Sequence, residues 1–323
     1  MKRFQEELEN ASCPLCGRMG RRKMTLGDSL NRSSPERFHL VVCDQCDLGY
    51  VSNPPPPNGM DVYYPADYFA HQFCEDPFDR SVRSDLLSWL ASKGARSRSR
   101  FVRDQVSLME THGPMRSFRV LDAGCGTGMA LKVMRDQWGA ETVGIDFSGA
   151  AVSRGKSFYG LDLREGDPLS FDFSPAPFDV VTLWHFLEHV HSPKTVLEWV
   201  HGQLTKDGVV VIQVPNAQSF ENRLWGARSL LYDSPRHLFH FSESALRKLL
   251  SASGFKVLSV EHAMMSGGWV LSLFYNLFGE KAMKSLKKSA FHLFACAVLA
   301  APLDLMSCLL NRGSILTMVA KRA

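Results

Sequence analysis

Two pairs of cysteines lie near the N-terminus, each with two residues between its thiols. Cys13 and Cys16 form the first pair, and Cys43 and Cys46 form the second. Each Cys-x-x-Cys turn directs two thiolates at one point, and two such turns complete a tetrahedral site. We therefore predict a Zn²⁺ site with four thiolate ligands, closed to substrate and structural in role. A redox-active pair is the alternative, but that chemistry needs a single pair beside a βαβ unit.

A glycine-rich turn is the second motif that could carry chemistry. Residues 122–128 read Asp-Ala-Gly-Cys-Gly-Thr-Gly and lie between an apolar strand and an amphipathic helix. Glycines permit positive φ and let a ligand approach the backbone, and the N–H groups that begin a helix favour an anionic group. Taken alone, the motif also fits an ordinary strand-to-helix turn.

Carboxylates follow the next two predicted strands. Asp146 lies about twenty residues beyond the turn, where a carboxylate can hold both hydroxyls of a ribose. Asp167 follows the third strand, where it can accept from an adenine amino group. The fourth strand, 178–184, runs into the same cleft and ends at Trp184. Each acidic residue could be an ordinary turn residue, but the order and spacing together predict one nucleotide-binding site.

Two histidine clusters are candidates for catalysis. The first, His185, Glu188 and His189, follows the fourth strand at the mouth of the cleft and could transfer protons or bind a divalent metal; local packing is the alternative. The second is His237 with His240, since a neutral imidazole suits proton removal near pH 7. We favour His237 as the general base, because the neighbouring Arg236 could hold an anionic substrate group.

From residue 119 onward, short apolar runs alternate with amphipathic stretches, as strands alternate with helices. This pattern predicts that an α/β fold with a parallel sheet positions these residues. The predicted domains are a zinc ribbon with a stiff Pro-rich linker (1–58), a helical lead-in (59–113) and a catalytic domain (114–323) with a helical insertion at 262–313. The predicted strands are 118–122, 141–146, 161–164, 178–183, 208–214, 255–261 and 315–320. The predicted helices are 128–138, 148–158, 193–204 and 242–253.

The segment 119–261 resembles the class I S-adenosylmethionine (SAM)-dependent methyltransferases, whose first motif residues 122–128 match closely. The resemblance implies a Rossmann-like seven-stranded sheet with an antiparallel last strand. It also implies that the three glycines of the motif line SAM, that Asp146 binds ribose and that Asp167 lies at adenine. The candidate cofactor-binding residues are Asp122, Gly124, Cys125, Gly126, Gly128, Asp146, Phe147, Asp167 and Trp184.

The resemblance extends beyond that segment. The cysteine pairs, the run 53–56, Tyr63-Tyr64 and the segment 235–242 are similar to bacterial methyltransferases that act on sugars and small metabolites. The run 187–190, Leu-Glu-His-Val, resembles ubiquinone-type O-methyltransferases, some of which use the Glu-His pair to support a divalent metal. The resemblance implies methyl transfer to a sugar, a lipid-linked intermediate or a quinone-like metabolite.

Composition and charge leave three alternatives open. A net charge of +4 neither demands nor excludes RNA, but residues 11–52 interleave acidic with basic residues, so nucleic acid is not the expected partner. A non-catalytic SAM- or zinc-binding interaction protein is a second alternative. A nicotinamide-dependent oxidoreductase is the third, and it fits the first glycine motif poorly.

The expected location is the cytoplasm, since residues 1–10 are charged and lack the apolar core of a signal peptide. The stretch 267–310 combines a basic run with an almost wholly apolar one. A buried hairpin or lid is one interpretation. Peripheral contact with the inner face of the membrane is the other, since lysines beside apolar faces suit anionic headgroups.

Overall fold

The protein is described by a computed structural model. The described residues are 12–29, 34–64, 86–109, 117–173, 177–264, 272 and 290–323. Parts of the predicted lead-in (59–113) and of the predicted insertion (262–313) therefore lie outside the described residues.

The described residues form two sheets. The strands are β1 (Gly20–Leu26), β2 (Phe38–Cys43), β3 (Gly49–Val51), β4 (Arg119–Ala123), β5 (Glu141–Asp146), β6 (Asp162–Glu165), β7 (Phe178–Trp184), β8 (Leu204–Pro215), β9 (Phe239–His240), β10 (Phe255–Ala263) and β11 (Ile315–Arg322). The larger sheet has the order β10-β11-β8-β7-β4-β5-β6, and the smaller has the order β1-β2-β3-β9.

The larger sheet confirms the predicted fold class. Strands β4 to β8 pair in parallel, and β11 runs antiparallel to both β8 and β10. The observed strands agree with the predicted ones within a few residues, except that β8 begins at Leu204 and not near 208. Leu204 pairs with Phe178, and pairing resumes at Val209 opposite Val180 after an irregularity.

Seven α-helices have their bounds within the described residues; the first three share one core with the larger sheet, and the fourth and sixth share another. They are α1 (Leu86–Met109), α2 (Met129–Trp138), α3 (Gly149–Tyr159), α4 (Pro193–Gln203), α5 (Phe220–Trp225), α6 (Glu243–Ala252) and α7 (Ala290–Leu309). Helix α6 shows why these segments fold as they do. The Ser242 hydroxyl caps it by accepting from the Ala245 amide, and residues at helical spacing, including Leu246 and Leu249, are buried.

The smaller sheet joins the cysteine-rich segment to the part of the chain that forms the larger sheet. Strand β9 pairs with β3, placing Tyr50 opposite Phe239 and Gly49 opposite His240. Buried apolar residues of both parts share one core, in which Cys46 and Leu48 accompany Phe241. The N-terminal ribbon is thus built onto the catalytic domain by a strand from that domain.

The linker differs from its prediction. The stiff linker was predicted to continue to residue 58, but only its first part is extended, as at Pro56, and a 3₁₀ helix spans Pro57–Tyr63. The Gly59 amide donates to the Pro56 carbonyl at 2.8 Å, and this bond turns the chain at the end of the proline run. Proline at the first helical position is compatible with this turn, because its missing N–H has no helical partner there.

Helix α7 follows the part of the predicted insertion that lies outside the described residues. It contains Pro302, and Asp304 is buried within it. In the described part of the chain, no helix has the combined length and apolarity that crossing a membrane requires.

Candidate active site

The glycine turn after β4 forms an open cradle. Gly124 and Gly126 have φ values of +80° and +56°, which only glycine adopts readily. The Gly126 amide donates to Asp146 Oδ2 at 2.7 Å, and a Cβ added at Gly126 would meet nothing within 4 Å. A Cβ at Gly124 would lie 2.7 Å from the Phe186 ring. The turn is therefore closed on the Phe186 side and open to a ligand at Gly126.

Asp146 lies at the end of β5, beside this cradle. Its second oxygen, Oδ1, accepts from the Ser148 amide at 2.9 Å, at the start of α3. The next residue, Phe147, is 55% exposed although it is aromatic. The Tyr64 ring packs edge-to-face with the Phe147 ring, and their centroids lie 5.5 Å apart. A carboxylate and an exposed aromatic face thus adjoin the open glycine turn.

Asp122 is the buried carboxyl of the turn. It is 3% exposed and accepts a hydrogen bond of 2.7 Å from the Thr182 hydroxyl. Burial raises the pKa of Asp122 to about 7, because the charged form loses hydration. The Thr182 bond and the nearby Arg98 guanidinium only partly offset this effect. A further cation beside Asp122 would favour the ionised form.

Three other predicted cofactor residues occupy distinct positions. Asp167 is exposed, and its Oδ1 accepts from the Leu169 amide at 3.0 Å. The Cys125 thiol faces β5, since a Cβ at Gly144 would lie 2.6 Å from its sulfur. Trp184 is 5% exposed and packs towards α1. Of the three, Asp167 is the one with a side chain open to solvent.

The two histidine clusters predicted separately from the sequence form one cluster in the structure. Ligand atoms of Glu188, His189 and His237 all lie within 4.8 Å of one another. His185 Nδ1 is 3.3 Å from Glu188 Oε1, and His237 Nε2 is 4.0 Å from the same oxygen. The second oxygen of Glu188 is buried without a hydrogen-bond partner among the described residues.

Backbone carbonyls fix the tautomers of two of these imidazoles. His237 Nδ1 lies 2.9 Å from the Leu231 oxygen, and His189 Nδ1 lies 3.0 Å from the Arg236 oxygen. A carbonyl can only accept, so each Nδ1 carries the proton and each neutral ring has an unprotonated Nε2. Burial first, and then the electrostatic effect of His237, lower the pKa of His189 to about 4.

Glu188 is ionised in this setting. Burial alone would raise its pKa, but the hydrogen bond from His185 and the electrostatic effect of the surrounding histidines lower it to about 2. The backbone oxygen of Glu188 also accepts from the Leu238 and Phe239 amides. Glu188 is thus held through its carboxylate by His185 and through its backbone oxygen by the segment that leads into β9.

The His185 imidazole is partly exposed to solvent and has a defined orientation. Its side chain is 29% exposed, whereas that of Glu188 is 1% exposed. His185 has a φ of +52°, an unfavourable value for a residue with a Cβ, at the point where β7 ends. The next residue, Phe186, is the one that contacts Gly124. His185 thus immediately precedes the residue that packs on the glycine turn, and its Nδ1 is directed at a buried carboxylate.

His240 lies at the rear of the cluster. It is 5% exposed in β9, with its ring centroid 6.4 Å from that of His237 and 5.1 Å from that of Tyr232. Burial lowers the pKa of His240 to about 3. His240 Nε2 is buried without a hydrogen-bond partner among the described residues.

The four cysteines of the ribbon converge on one point. Their sulfurs lie within 4.8 Å of one another, with Cys13 and Cys46 at 3.4 Å and Cys16 and Cys43 at 3.5 Å. A tetrahedral zinc with Zn–S bonds of about 2.3 Å places its sulfurs roughly 3.8 Å apart. Burial opposes ionisation of Cys43, but amide donors from Cys46 and Gln45 lower its pKa to about 7. The donor set and its spacing fit a tetrahedral metal ion.

A family model described as a methyltransferase domain matches residues 84–260, more than half of the chain. The chain belongs to this methyltransferase domain family. The match includes the glycine turn, Asp146, Asp167 and the cluster of His185 and Glu188. It confirms the resemblance stated from the sequence.

Two curated relatives carry the name ubiquinone biosynthesis O-methyltransferase. The protein from Azoarcus sp. (strain BH72) is 30% identical over 170 residues, which cover 47% of this chain and 70% of that protein. The protein from Neisseria meningitidis serogroup C is 26% identical over 148 residues, which cover 41% of this chain. That match spans 59% of the Neisseria protein, less than two thirds of its length.

A solved structure shares the fold. A sarcosine dimethylglycine methyltransferase candidate from Galdieria sulphuraria superposes with a TM-score of 0.50 at 13% identity, covering 76% of this chain and 91% of that chain. At this identity the likeness concerns the fold of the methyltransferase domain alone.

Arg236 of the methyltransferase domain corrects one expectation. It was predicted to hold an anionic substrate group, but its side chain is 0% exposed. Its guanidinium donates to Asp233 at 2.7 Å, to the Tyr63 carbonyl at 3.0 Å and to Asp28 at 3.4 Å. Because these internal acceptors occupy its donors, Arg236 ties the ribbon and linker to the histidine cluster.

Two residues near the site were not predicted as site residues from the sequence. Tyr64 Oη lies 3.1 Å from His189 Nδ1, and burial raises its pKa well above the ordinary value. Arg98 stacks on Trp184, with its guanidinium carbon 5.3 Å from the ring centroid, and it interacts electrostatically with Asp122 and Glu188. Only the positions of the linker and of helix α1 bring these residues to the methyltransferase site.

Proposed function

We propose that this protein transfers a methyl group from SAM to a small-molecule acceptor. The observation that carries the proposal is one juxtaposition. The open glycine turn, with Asp146 beside it, packs against Phe186, which lies in the chain between the members of an oriented His185–Glu188 pair. Membership of the methyltransferase domain family supports the use of SAM.

The cradle supplies groups that suit each part of SAM. The Asp146 carboxylate would accept from the ribose hydroxyls, as a carboxylate after the second strand does in nucleotide-binding sheets. The exposed ring of Phe147 would support adenine, and the exposed Asp167 carboxylate would accept from its amino group. Asp122 and Arg98 would face the ammonium and carboxylate of the methionine part.

SAM supplies an electrophilic methyl group, so the protein must align a nucleophile and remove its proton where necessary. We assign proton removal to His185. Its Nδ1–H is held by Glu188, which leaves Nε2 unprotonated in the neutral ring and stabilises the imidazolium that forms. His237 is the second candidate, but its Nε2 faces the Glu188 and Asp233 carboxylates and its side chain is 11% exposed.

The proposal also includes a structural Zn²⁺, which would be held by Cys13, Cys16, Cys43 and Cys46. Four thiolates leave no open position, so the ion would stabilise the ribbon and take no part in methyl transfer. Elemental analysis of the purified protein is expected to find about one zinc per chain. The Cys43→Ser variant is expected to lose it, whereas Cys308→Ser keeps it. Full zinc retention in Cys43→Ser would contradict the site.

The acceptor is proposed to be a small molecule, as the names of the relatives suggest for those proteins. The test is transfer of label from methyl-labelled SAM into fractions of a host lysate, with an Asp122→Asn/Asp146→Ala double variant as control. Label in the small-molecule or lipid fraction, absent with the double variant, supports the proposal. Label found only in nuclease-sensitive material would replace it with RNA methylation.

A further inference from the structure

Helix α7 and the residue after it expose a patch of large apolar side chains. The members of this patch, each 47–77% exposed, are Val298, Leu303, Leu305, Met306, Leu309 and Leu310. Residues three and four apart adjoin on a helix surface, so these side chains form one continuous apolar patch and are not scattered. Soluble monomers rarely expose a large continuous apolar patch unless it binds something.

The buried side of α7 is its polar side. Ala300, Asp304 and Ser307, which follow one another at helical spacing, are buried. This side faces Glu221 of α5, whose pKa is raised by burial and, to a smaller extent, by the Asp304 carboxyl. A helix that packs on a domain normally buries its apolar side and exposes its polar one. The reversed arrangement in α7 indicates an apolar partner outside the chain.

Exposed apolar residues of two other elements lie near the C-terminal end of α7. The Phe220 amide, at the start of α5, donates to the Arg312 carbonyl at 3.1 Å, and Leu224 of α5 is 63% exposed. A Cβ added at Gly313 would lie 2.8 Å from the last carbonyl oxygen of β10. The exposed Met264 follows that strand directly. The apolar surface at this end of the sheet is therefore larger than α7 alone.

The charges beside the apolar patch are positive. The sequence just before α7 contains four lysines: Lys281, Lys284, Lys287 and Lys288. A residue advances the chain by at most about 3.6 Å, so the Lys288 Cα lies within about 7 Å of the Ala290 Cα. Arg312, just after α7, and Arg223, on α5, are exposed. Among the described side chains of residues 298–312, no acidic one is exposed.

We propose that α7 docks on the surface of an anionic lipid bilayer. The apolar patch would lie among the acyl chains just below the headgroups, and the cations at both ends of the helix would face lipid phosphates. The helix would lie in the plane of the interface, because Asp304 and Ser307 face the domain and β11 returns to the larger sheet at Ile315. This inference goes beyond the proposed methyl transfer and does not depend on it.

A second copy of the chain is the alternative partner for the patch, and the charges disfavour it. A two-fold pair of parallel α7 helices would bring the lysines of one copy against those of the other. An antiparallel pair would bring the lysines against Arg312 of the other copy. Like charges would therefore meet in both arrangements, whereas anionic lipid offers the opposite charge.

The patch can be changed at positions outside the core. Leu309→Glu places a charge at a side chain that is 77% exposed, and Leu305→Glu is a second patch variant. Val62→Glu is the matched control, because Val62 is 78% exposed, lies outside α7 and receives the same charge. Exposed substitutions of this kind are expected to leave folding intact, which circular dichroism and thermal unfolding would check.

The experiment is sedimentation of the purified protein with vesicles of phosphatidylcholine, with and without phosphatidylglycerol. The wild type is expected to bind the anionic vesicles and to be released as salt rises from about 0.1 M to about 0.5 M, because salt screens the lysines. Leu309→Glu and Leu305→Glu should each lower the partition coefficient about tenfold or more, since apolar burial is lost and the headgroups repel the new charge. Val62→Glu should stay within about twofold of the wild type.

Two vesicle results would overturn the proposal: no binding of the wild type to anionic vesicles, or patch variants that bind as well as Val62→Glu. Analytical ultracentrifugation without lipid tests the alternative partner. A monomeric wild type is expected. A wild-type dimer that becomes a monomer in Leu309→Glu would assign the patch to self-association and overturn the membrane proposal.

Discussion

Two carboxyl groups at the ends of neighbouring strands are almost equally buried and have opposite electrostatics. Asp122, in β4, is 3% exposed, and Glu188, just after β7, is 1% exposed. Burial raises the pKa of Asp122 to about 7, whereas the imidazoles around Glu188 lower its pKa to about 2 despite the same burial. The neighbours of each group, and not its depth, determine its charge.

This difference separates two kinds of region. In the Asp122 region the Thr182 hydroxyl and the Arg98 guanidinium only partly offset the effect of burial, so a cationic group of a ligand would stabilise the ionised carboxylate. The Glu188 region contains its own charge partners, since His185 Nδ1 lies 3.3 Å and His237 Nε2 4.0 Å from Glu188 Oε1. We therefore expect the first region to determine SAM binding and the second to determine the rate of transfer.

The largest expected effect is on the rate of methyl transfer, and it comes from the region around Glu188. His185→Gln is expected to lower the rate of methyl transfer about 10²–10⁴-fold, since a positioned general base contributes that much. SAM affinity should stay within about twofold of the wild type, as Glu188 and its partners lie outside the cradle. Steady-state kinetics and calorimetry measure the two quantities. His201→Gln, on α4, is the matched control, and equal rates for both variants would remove His185 from the mechanism.

The next effect concerns the cradle itself. Asp146→Ala is expected to weaken SAM binding by about 1–3 kcal/mol, because a charged hydrogen-bond acceptor for ribose is lost. Calorimetry on the purified variant gives this value directly. Asp162→Ala, an exposed carboxylate on the adjacent strand, serves as control. Unchanged affinity in Asp146→Ala would mean that SAM does not contact the end of β5.

A smaller, pH-dependent effect distinguishes Asp122 from Glu188. The folded pKa of Asp122 is above its unfolded value of 3.8, so the folded state binds more protons between those values. Ionised Asp122 therefore destabilises the ligand-free fold as pH rises towards 7, and Asp122→Asn should gain about 1–3 kcal/mol in unfolding free energy at pH 8. Denaturant unfolding at pH 5 and pH 8 measures this, and an equal gain at both would contradict it.

The same substitution should act oppositely on the cofactor. If the ionised carboxylate faces the SAM ammonium, wild-type affinity falls as pH falls below about 7, and Asp122→Asn removes that dependence. Calorimetric titrations with SAM at several pH values provide the measurement. A variant that retains the wild-type pH dependence would assign it to another group.

The sequence allowed prediction of the glycine turn and of the strands beside it, because these features are local. The turn 122–128, Asp146 and Asp167 each follow a strand whose apolar run is legible in the sequence, and parallel strands bring their ends to one edge. The same logic predicted the seven strands of the larger sheet.

The junction of the ribbon with the histidine cluster was not predictable in this way. It depends on pairs far apart in the chain, such as Asp28 with Arg236 and β3 with β9. Nothing near Arg236 in the sequence reveals that its donors are used internally. Likewise, Tyr64 reaches His189 only because the linker turns at Pro57.

The most direct test of the account is calorimetric titration of the purified protein with SAM and, separately, with NAD⁺. The account predicts one SAM bound per chain, loss of affinity in Asp146→Ala, and no heat of binding with NAD⁺. Binding of NAD⁺ in place of SAM, or no binding of SAM at all, would contradict the assignment of the glycine turn and, with it, the proposed methyl transfer.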